Sequence, residues 1–174
     1  MTTSDPRPQN TKSFLVTVLA ALVIAFAIRT WGFQTFQVSG TSMLPTLHTS
    51  DRVLVNKLAF LFAKPRTGEI IVFQSPVAPS QDWIKRVIGV PGDTVSIKNN
   101  VVYINGKRYP EPFLKYRHSI NVSPIQVPPG YLWVLGDNRP ISDDSRYFGL
   151  LSDSRIKGRA ILEWWPLSQF HWLP

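Results

Sequence analysis

The sequence predicts a mainly β protein: one N-terminal apolar helix followed by an antiparallel β domain. Three observations carry that prediction. Residues 14–28 form a single apolar run whose only polar member is Thr17. Beyond it, short stretches rich in β-branched and aromatic residues recur, several alternating with period two. Between these stretches stand most of the 15 prolines and 10 glycines, which punctuate loops and turns rather than a helix bundle.

The apolar run has fifteen residues, short of the ~20 that span a bilayer. Taking in Ser13 and extending through Phe33 supplies the length. Arg29 can then snorkel to the interface and Trp31 can anchor there. Residues 13–33 are therefore read as a transmembrane anchor, behind a polar, disordered tail over 1–12 that contains Pro6 and Pro8. A cleaved signal peptide fits less well, because Arg29-Thr30-Trp31 is too bulky for a cleavage site. A core helix needs a polar face, and this run is apolar all round. Arg7 and Lys12 before the run and Arg29, Arg52 and Lys57 after it leave the orientation undecided.

Residues 34–174 read as the β domain. Its strands are FQTFQV (33–38), RVLVNKL (52–58), EIIVFQ (69–74), WIKRVIGV (83–90), YLWVLG (131–136) and RAILEWW (159–165). TVSIKNNVVYING (94–106) reads as a hairpin around Asn99-Asn100, with Asn105-Gly106 as a second tight turn. Ser152 is placed to cap one helical turn. LAFLFA (58–63) fits either a core strand or an apolar patch resting on a bilayer, and Trp164, Trp165 and Trp172 carry the same ambiguity.

The chain has no cysteine, which excludes disulfides, thiol nucleophiles and thiolate metal sites. The net charge is +8, but Lys and Arg are scattered with no dense block. That describes a solvated surface with a membrane as the next most economical neighbour, and no nucleic-acid partner is expected. His48, His118 and His171 show no metal-ligand spacing, so no cofactor is expected.

Three stretches have chemical potential. SGTSMLPTL (39–47) follows a strand and cannot be regular helix, given Gly40 and Pro45. A serine in such a loop presents its hydroxyl and leaves backbone N–H groups free for an oxyanion. WIKRVIGVPGD (83–93) places Lys85 and Arg86 on opposite faces of a strand, each with apolar neighbours. A lysine with its ordinary pKa of about 10.4 is protonated at neutral pH, and burial lowers that value by about 3–5. Arginine stays protonated, so any general base here is Lys85. GDNRPISDDSRYFG (136–149) is a polar loop with hydroxyls and an Asp–Arg pair. Taken singly, each stretch also reads as an ordinary turn or strand.

In this order behind an apolar helix, the stretches resemble the boxes of type I signal peptidases over roughly residues 12–166. RTGEIIVF (66–73) and KGRAILEWWP (157–166) match further boxes. The resemblance implies a membrane-bound serine endopeptidase with Ser42 as nucleophile and Lys85 as general base. It assigns Ser142 to a hydrogen bond orienting the lysine, and Asp144 with Arg146 to a supporting salt bridge. It implies preprotein substrates whose signal peptides end in small residues. It also implies a lipid bilayer as partner, with the N-terminus cytoplasmic or stromal and the catalytic domain on the outer or lumenal side. The length resembles the small bacterial, cyanobacterial or plastid forms. The chain departs from the pattern at Gly40, where some members carry a serine that donates to the oxyanion. Two other readings stand beside this one: a histidine mechanism using His48 and Asp51, and a membrane-tethered β binding module with no catalysis.

Overall fold

The computed structural model of the chain describes residues 11–27, 30, 32–116 and 119–174. Residues 1–10 of the expected tail, together with Arg29, Trp31 and His118, lie outside the described residues. Helix α1 spans Thr11–Ala27 and therefore begins inside the segment read as tail. Its 17 residues rise about 26 Å at about 1.5 Å each, against about 30 Å for a hydrocarbon core. No helix among the described residues is long and apolar enough to cross a membrane.

The β domain follows in chain order. Its elements are β1 (Phe33–Gln37), β2 (Arg52–Asn56), α2 (Ala59–Phe62), β3 (Ile70–Gln74), β4 (Asp82–Gly89), β5 (Thr94–Lys98), β6 (Val101–Ile104), β7 (Lys107–Arg108) and β8 (Val122–Gln126), then β9 (Tyr131–Leu135), α3 (Ser145–Phe148), β10 (Leu151–Ser152), β11 (Ile156–Trp165) and β12 (His171–Trp172). The larger sheet has eight strands, in the order β1-β2-β11-β3-β4-β9-β10, with β12 on β11. The smaller has four, in the order β7-β6-β5-β8. All pairings are antiparallel.

The mainly antiparallel β architecture is the one the strand pattern predicted. β3 is buried along almost its whole length and reads as a continuous apolar run, as a strand covered on both faces must. The 94–106 stretch forms the expected hairpin and second turn, with Asn99, Asn100 and Asn105 at positive φ. Of the two readings of LAFLFA, the core strand is excluded: α2 is a single turn with no buried residue, and Phe62 is 91% exposed. A 3-10 turn does run over Asp153–Arg155, but Ser152 makes no side-chain cap; its hydroxyl meets Ser154 instead.

Three apolar clusters hold the domain. Val53, Val55, Ile70 and Val72 pack with Met43 and Leu47 from the loop after β1. Ile88, Val95, Val102, Val127 and Trp133 join the two sheets. Ile71, Phe73, Val87, Leu132 and Leu151 fill a third cluster on the larger sheet. The first cluster matters most for the site. Burying Met43 and Leu47 contributes about 1.5–3 kcal/mol each and pins down a loop with no regular structure.

Candidate active site

Ser42 lies in that loop, one residue before its buried anchor Met43. Two backbone bonds close the loop at its base, Val38 N–H to Asp51 O (2.8 Å) and Ser50 N–H to Val38 O (2.9 Å). Gly40 has φ +86°, a left-handed conformation that favours glycine. The half-buried Ser42 therefore sits on a short, doubly fixed turn. Asn138 ties this turn to the loop after β9: its N–H donates to Ser42 O at 2.9 Å, and its side-chain amide donates to Thr41 O at 3.0 Å. The approach requires Gly136, because a Cβ there would stand 2.1 Å from Ser142 Oγ and 2.6 Å from Ser42 O.

β4 supplies the cation. Alternation puts Lys85 on the face of Trp83 and Val87, and Arg86 on the face of Ile84 and Ile88. Both are buried, at 4% and 3% exposure. Lys85 Nζ donates to Ser42 Oγ at 2.7 Å and lies 5.5 Å from the Trp83 ring. No salt bridge holds it among the described residues. Burial brings its pKa down from 10.5 to about 8, although the carboxylates of Asp144, Asp143 and Asp137 pull upward. Ser42 and Lys85 are thus brought together from positions 43 residues apart.

Three further residues implied by the sequence, Ser142, Asp144 and Arg146, lie between β9 and the end of α3. Asp144 binds Arg146 through Oδ1 to Nε at 2.7 Å and Oδ2 to Nη2 at 2.8 Å, and also accepts from the Gly136 N–H at 3.0 Å. Arg146 Nη2 donates onward to Arg139 O and Ser142 O. The expected salt bridge is therefore present. The expected hydrogen bond from Ser142 to Lys85 is not formed: Ser142 Oγ is buried without a partner, wedged against the Gly136 backbone. His48 pairs with Asp51 (Nδ1 to Oδ2, 3.7 Å) and makes no hydrogen bond to Ser42.

Sequence reasoning missed Asp137. It is fully buried, takes Arg86 Nε at 2.9 Å and Nη2 at 2.7 Å, and accepts from Thr46 Oγ1 at 2.5 Å. One carboxylate thus links β4, the Ser42 loop and the loop after β9. Arg139 reaches out from the same loop to Glu111 and bonds Gly136 O. A buried arginine needs a counter-ion, so Arg86 was the available signal, but its partner lies 51 residues away.

Ser42 and Lys85 open into a cleft of about 380 Å³, walled by residues 36–41 on one side and Trp83 and Ile84 on the other, with Ile141 and Asp143 also in its lining. A hydroxyl against a desolvated amine, lining an open cleft, has the chemistry of a serine hydrolase acting on acyl groups. The chain belongs to the signal peptidase family, peptidase S26, whose model matches residues 11–165. It is similar to signal peptidase I of Bacillus caldolyticus, with 37% identity over 86% of this chain and 89% of the relative. It is similar also to signal peptidase IB of Staphylococcus aureus, with 35% identity over 90% of this chain and 91% of the relative. A crystal structure of a signal peptidase I from Enterococcus faecalis V583 shares 35% identity, covering 56% of this chain and 97% of that one, with a TM-score of 0.46. The activity class is that of a serine endopeptidase of the signal peptidase type.

Proposed function

We propose that the chain removes N-terminal signal peptides from exported preproteins, with Ser42 as nucleophile and Lys85 as general base. The 2.7 Å contact between Lys85 Nζ and Ser42 Oγ carries this reading. Neutral Lys85 takes the Ser42 proton as Oγ attacks the scissile carbonyl. The carbonyl oxygen becomes an oxyanion, held by the Ser42 N–H as one donor. Lys85 then gives the proton to the leaving amine, and the acyl-enzyme forms. Water, deprotonated by the same lysine, attacks the ester and releases the signal peptide. Asp144 and Arg146 act by holding the loop that fixes Ser42. The enzyme's substrates are preproteins whose signal peptides end in small residues, taken into the cleft that Ser42 lines. α1 and the residues after it tether the enzyme to a bilayer, with the N-terminus cytoplasmic or stromal and the β domain on the outer or lumenal face.

The first test is cleavage of a purified preprotein in detergent by the wild type, Ser42→Ala and His48→Ala. Ser42→Ala is expected to be inactive and His48→Ala to keep full activity; an inactive His48→Ala with intact fold rejects the lysine mechanism. A pH series adds the proton. Only neutral Lys85 accepts it, so kcat/KM is expected to rise with pH and level off above about 8. A flat profile between pH 6 and 9 assigns the base elsewhere. Topology is testable because the chain has no cysteine. Single cysteines at Thr3 and Ser80 are expected to label from opposite sides of sealed vesicles.

A further inference from the structure

A second cavity, of about 400 Å³, shares no lining residue with the cleft. It lies where the start of β1, the end of β2 and Arg159 of β11 stand side by side, with Phe33 opposite Asn56 and Asn56 opposite Arg159. α2 and the residues after it complete the lining. The wall is divided by chemistry: Phe33, Leu58 and Phe62 are apolar, whereas Lys64, Arg66 and Arg159 are cationic. We propose that this cavity binds one anionic phospholipid, its phosphate against the three cations and its acyl chains along the apolar side. The inference rests on the membrane-tethered reading above.

Charge favours an anion. The single acid in the lining, Glu69, is already satisfied: Oε2 accepts from the Arg66 N–H at 3.0 Å and Oε1 from Arg159 Nη1 at 2.8 Å. Among the described residues, no ion pair holds Lys64 or the Arg66 side chain. Arg159 Nε is buried without an acceptor, and a buried donor left unpaired is costly. A phosphate oxygen is the ligand type that guanidinium donors hold best.

The apolar half specifies a lipid rather than a free phosphate. α2 buries none of its residues, leaving Phe62, which lines the cavity together with the cations, 91% exposed. Nothing in the fold is gained by that exposure. Phe33 also opens β1 shortly after the apolar α1 ends at Ala27, so this wall of the cavity continues in sequence from the segment read as the anchor. Cations beside an apolar surface at that position match a headgroup above its acyl chains.

The test is a titration of the full chain in nonionic detergent with dihexanoyl phosphatidylglycerol, counting bound lipid by native mass spectrometry. Dihexanoyl phosphatidylcholine and inorganic phosphate are the comparators. One phosphatidylglycerol per chain is expected, with both comparators much weaker. Lys64→Gln/Arg66→Gln is expected to weaken binding roughly thirtyfold, from two cations at a lipid surface. Phe62→Ser is expected to weaken the lipid while leaving the feeble binding of inorganic phosphate unchanged. Lys98→Gln/Lys107→Gln removes the same charge from the other sheet and is expected to change nothing. Equal binding of the two lipids, displacement by equimolar inorganic phosphate, or equal loss in both double variants overturns the proposal. Short-chain lipids stay soluble, so the titration does not require α1 to cross a bilayer. Failure of the anchor reading would appear in the cysteine labelling instead.

Discussion

Adjacent cations on β4 are treated in opposite ways. Both Lys85 and Arg86 are buried, yet only Arg86 has a counter-ion, the bidentate Asp137. It also donates to Gly68 O at 2.8 Å and lies 3.9 Å from the Phe113 ring centroid. Lys85 has the Ser42 hydroxyl and the Trp83 ring, and carboxylates reach it only at longer range. One face of the strand neutralises its charge with a partner and becomes scaffold. The other withholds the partner, so the charge itself becomes unstable and the amine is free to accept a proton. Reactivity here is the cost of burial left uncompensated.

Exchanging the two chemistries gives the largest effect. Lys85→Arg keeps the charge but installs a group that cannot act as a base. Cleavage is expected to fall by at least about four orders of magnitude, as when one member of a nucleophile–base unit is lost. Measurable turnover by Lys85→Arg places the base on another residue. On the opposite face, Asp137→Asn strips Arg86 of its counter-ion. Breaking a buried pair from one side costs about 3–5 kcal/mol, and urea unfolding followed by tryptophan fluorescence is expected to show a loss of that size. A loss below about 1 kcal/mol makes the contrast between the faces wrong.

Lys85→Met sharpens the comparison from the other direction, because an active-site change is expected to stabilise. Folding lowers the lysine pKa from 10.5 to about 8, so between those values the unfolded chain binds more protons and stability rises with pH. Below pH 8 the full penalty applies, up to about 3 kcal/mol at about 1.36 per pKa step. Methionine fills similar space without charge. The variant is expected to be inactive, more stable than the wild type at pH 6–7, and free of the rise between pH 8 and 10.5. Unfolding midpoints across that range decide it. No comparable gain is expected from Arg86→Met, since it leaves Asp137 buried and unpaired.

How far this contrast was legible in the sequence depends on distance along the chain. Strand alternation alone separated the Lys85 and Arg86 faces, and the inability of arginine to lose its proton singled out Lys85. β3 and the β5–β6 hairpin were readable because an apolar run and an Asn-Asn turn are local signals. β8 was not, because Pro124 disguises a strand that pairs on one side only, with β5. The place of β11 between β2 and β3 is a pairing across most of the chain, which no local pattern encodes. Asp137 stayed hidden within a loop of similar polar residues for the same reason. For Ser142, the family resemblance implied a hydrogen bond to the lysine, but the close approach of Gly136 turns its hydroxyl into a packing contact. The strength of desolvation at Lys85 depends on this packing, so it became visible only once the two loops were in place.

The smallest expected effect probes the remaining charge on the reactive face. Asp143 is exposed at the cleft, and its carboxylate favours the protonated form of Lys85 against the dominant pull of burial. Asp143→Asn removes that attraction while leaving the lysine buried and Ser42 in contact. The acid limb of the kcat/KM profile is expected to move toward lower pH, with the plateau unchanged. Because Asp143 faces solvent, its influence passes partly through water and is open to screening. The displacement between wild type and variant is therefore expected to shrink as salt is raised, while the low pKa set by burial persists in both. A displacement that survives high salt would mean Asp143 acts by direct contact. A move toward higher pH would mean that Asp143 helps to exclude water from Lys85, so that its replacement relieves the desolvation that lowers the pKa.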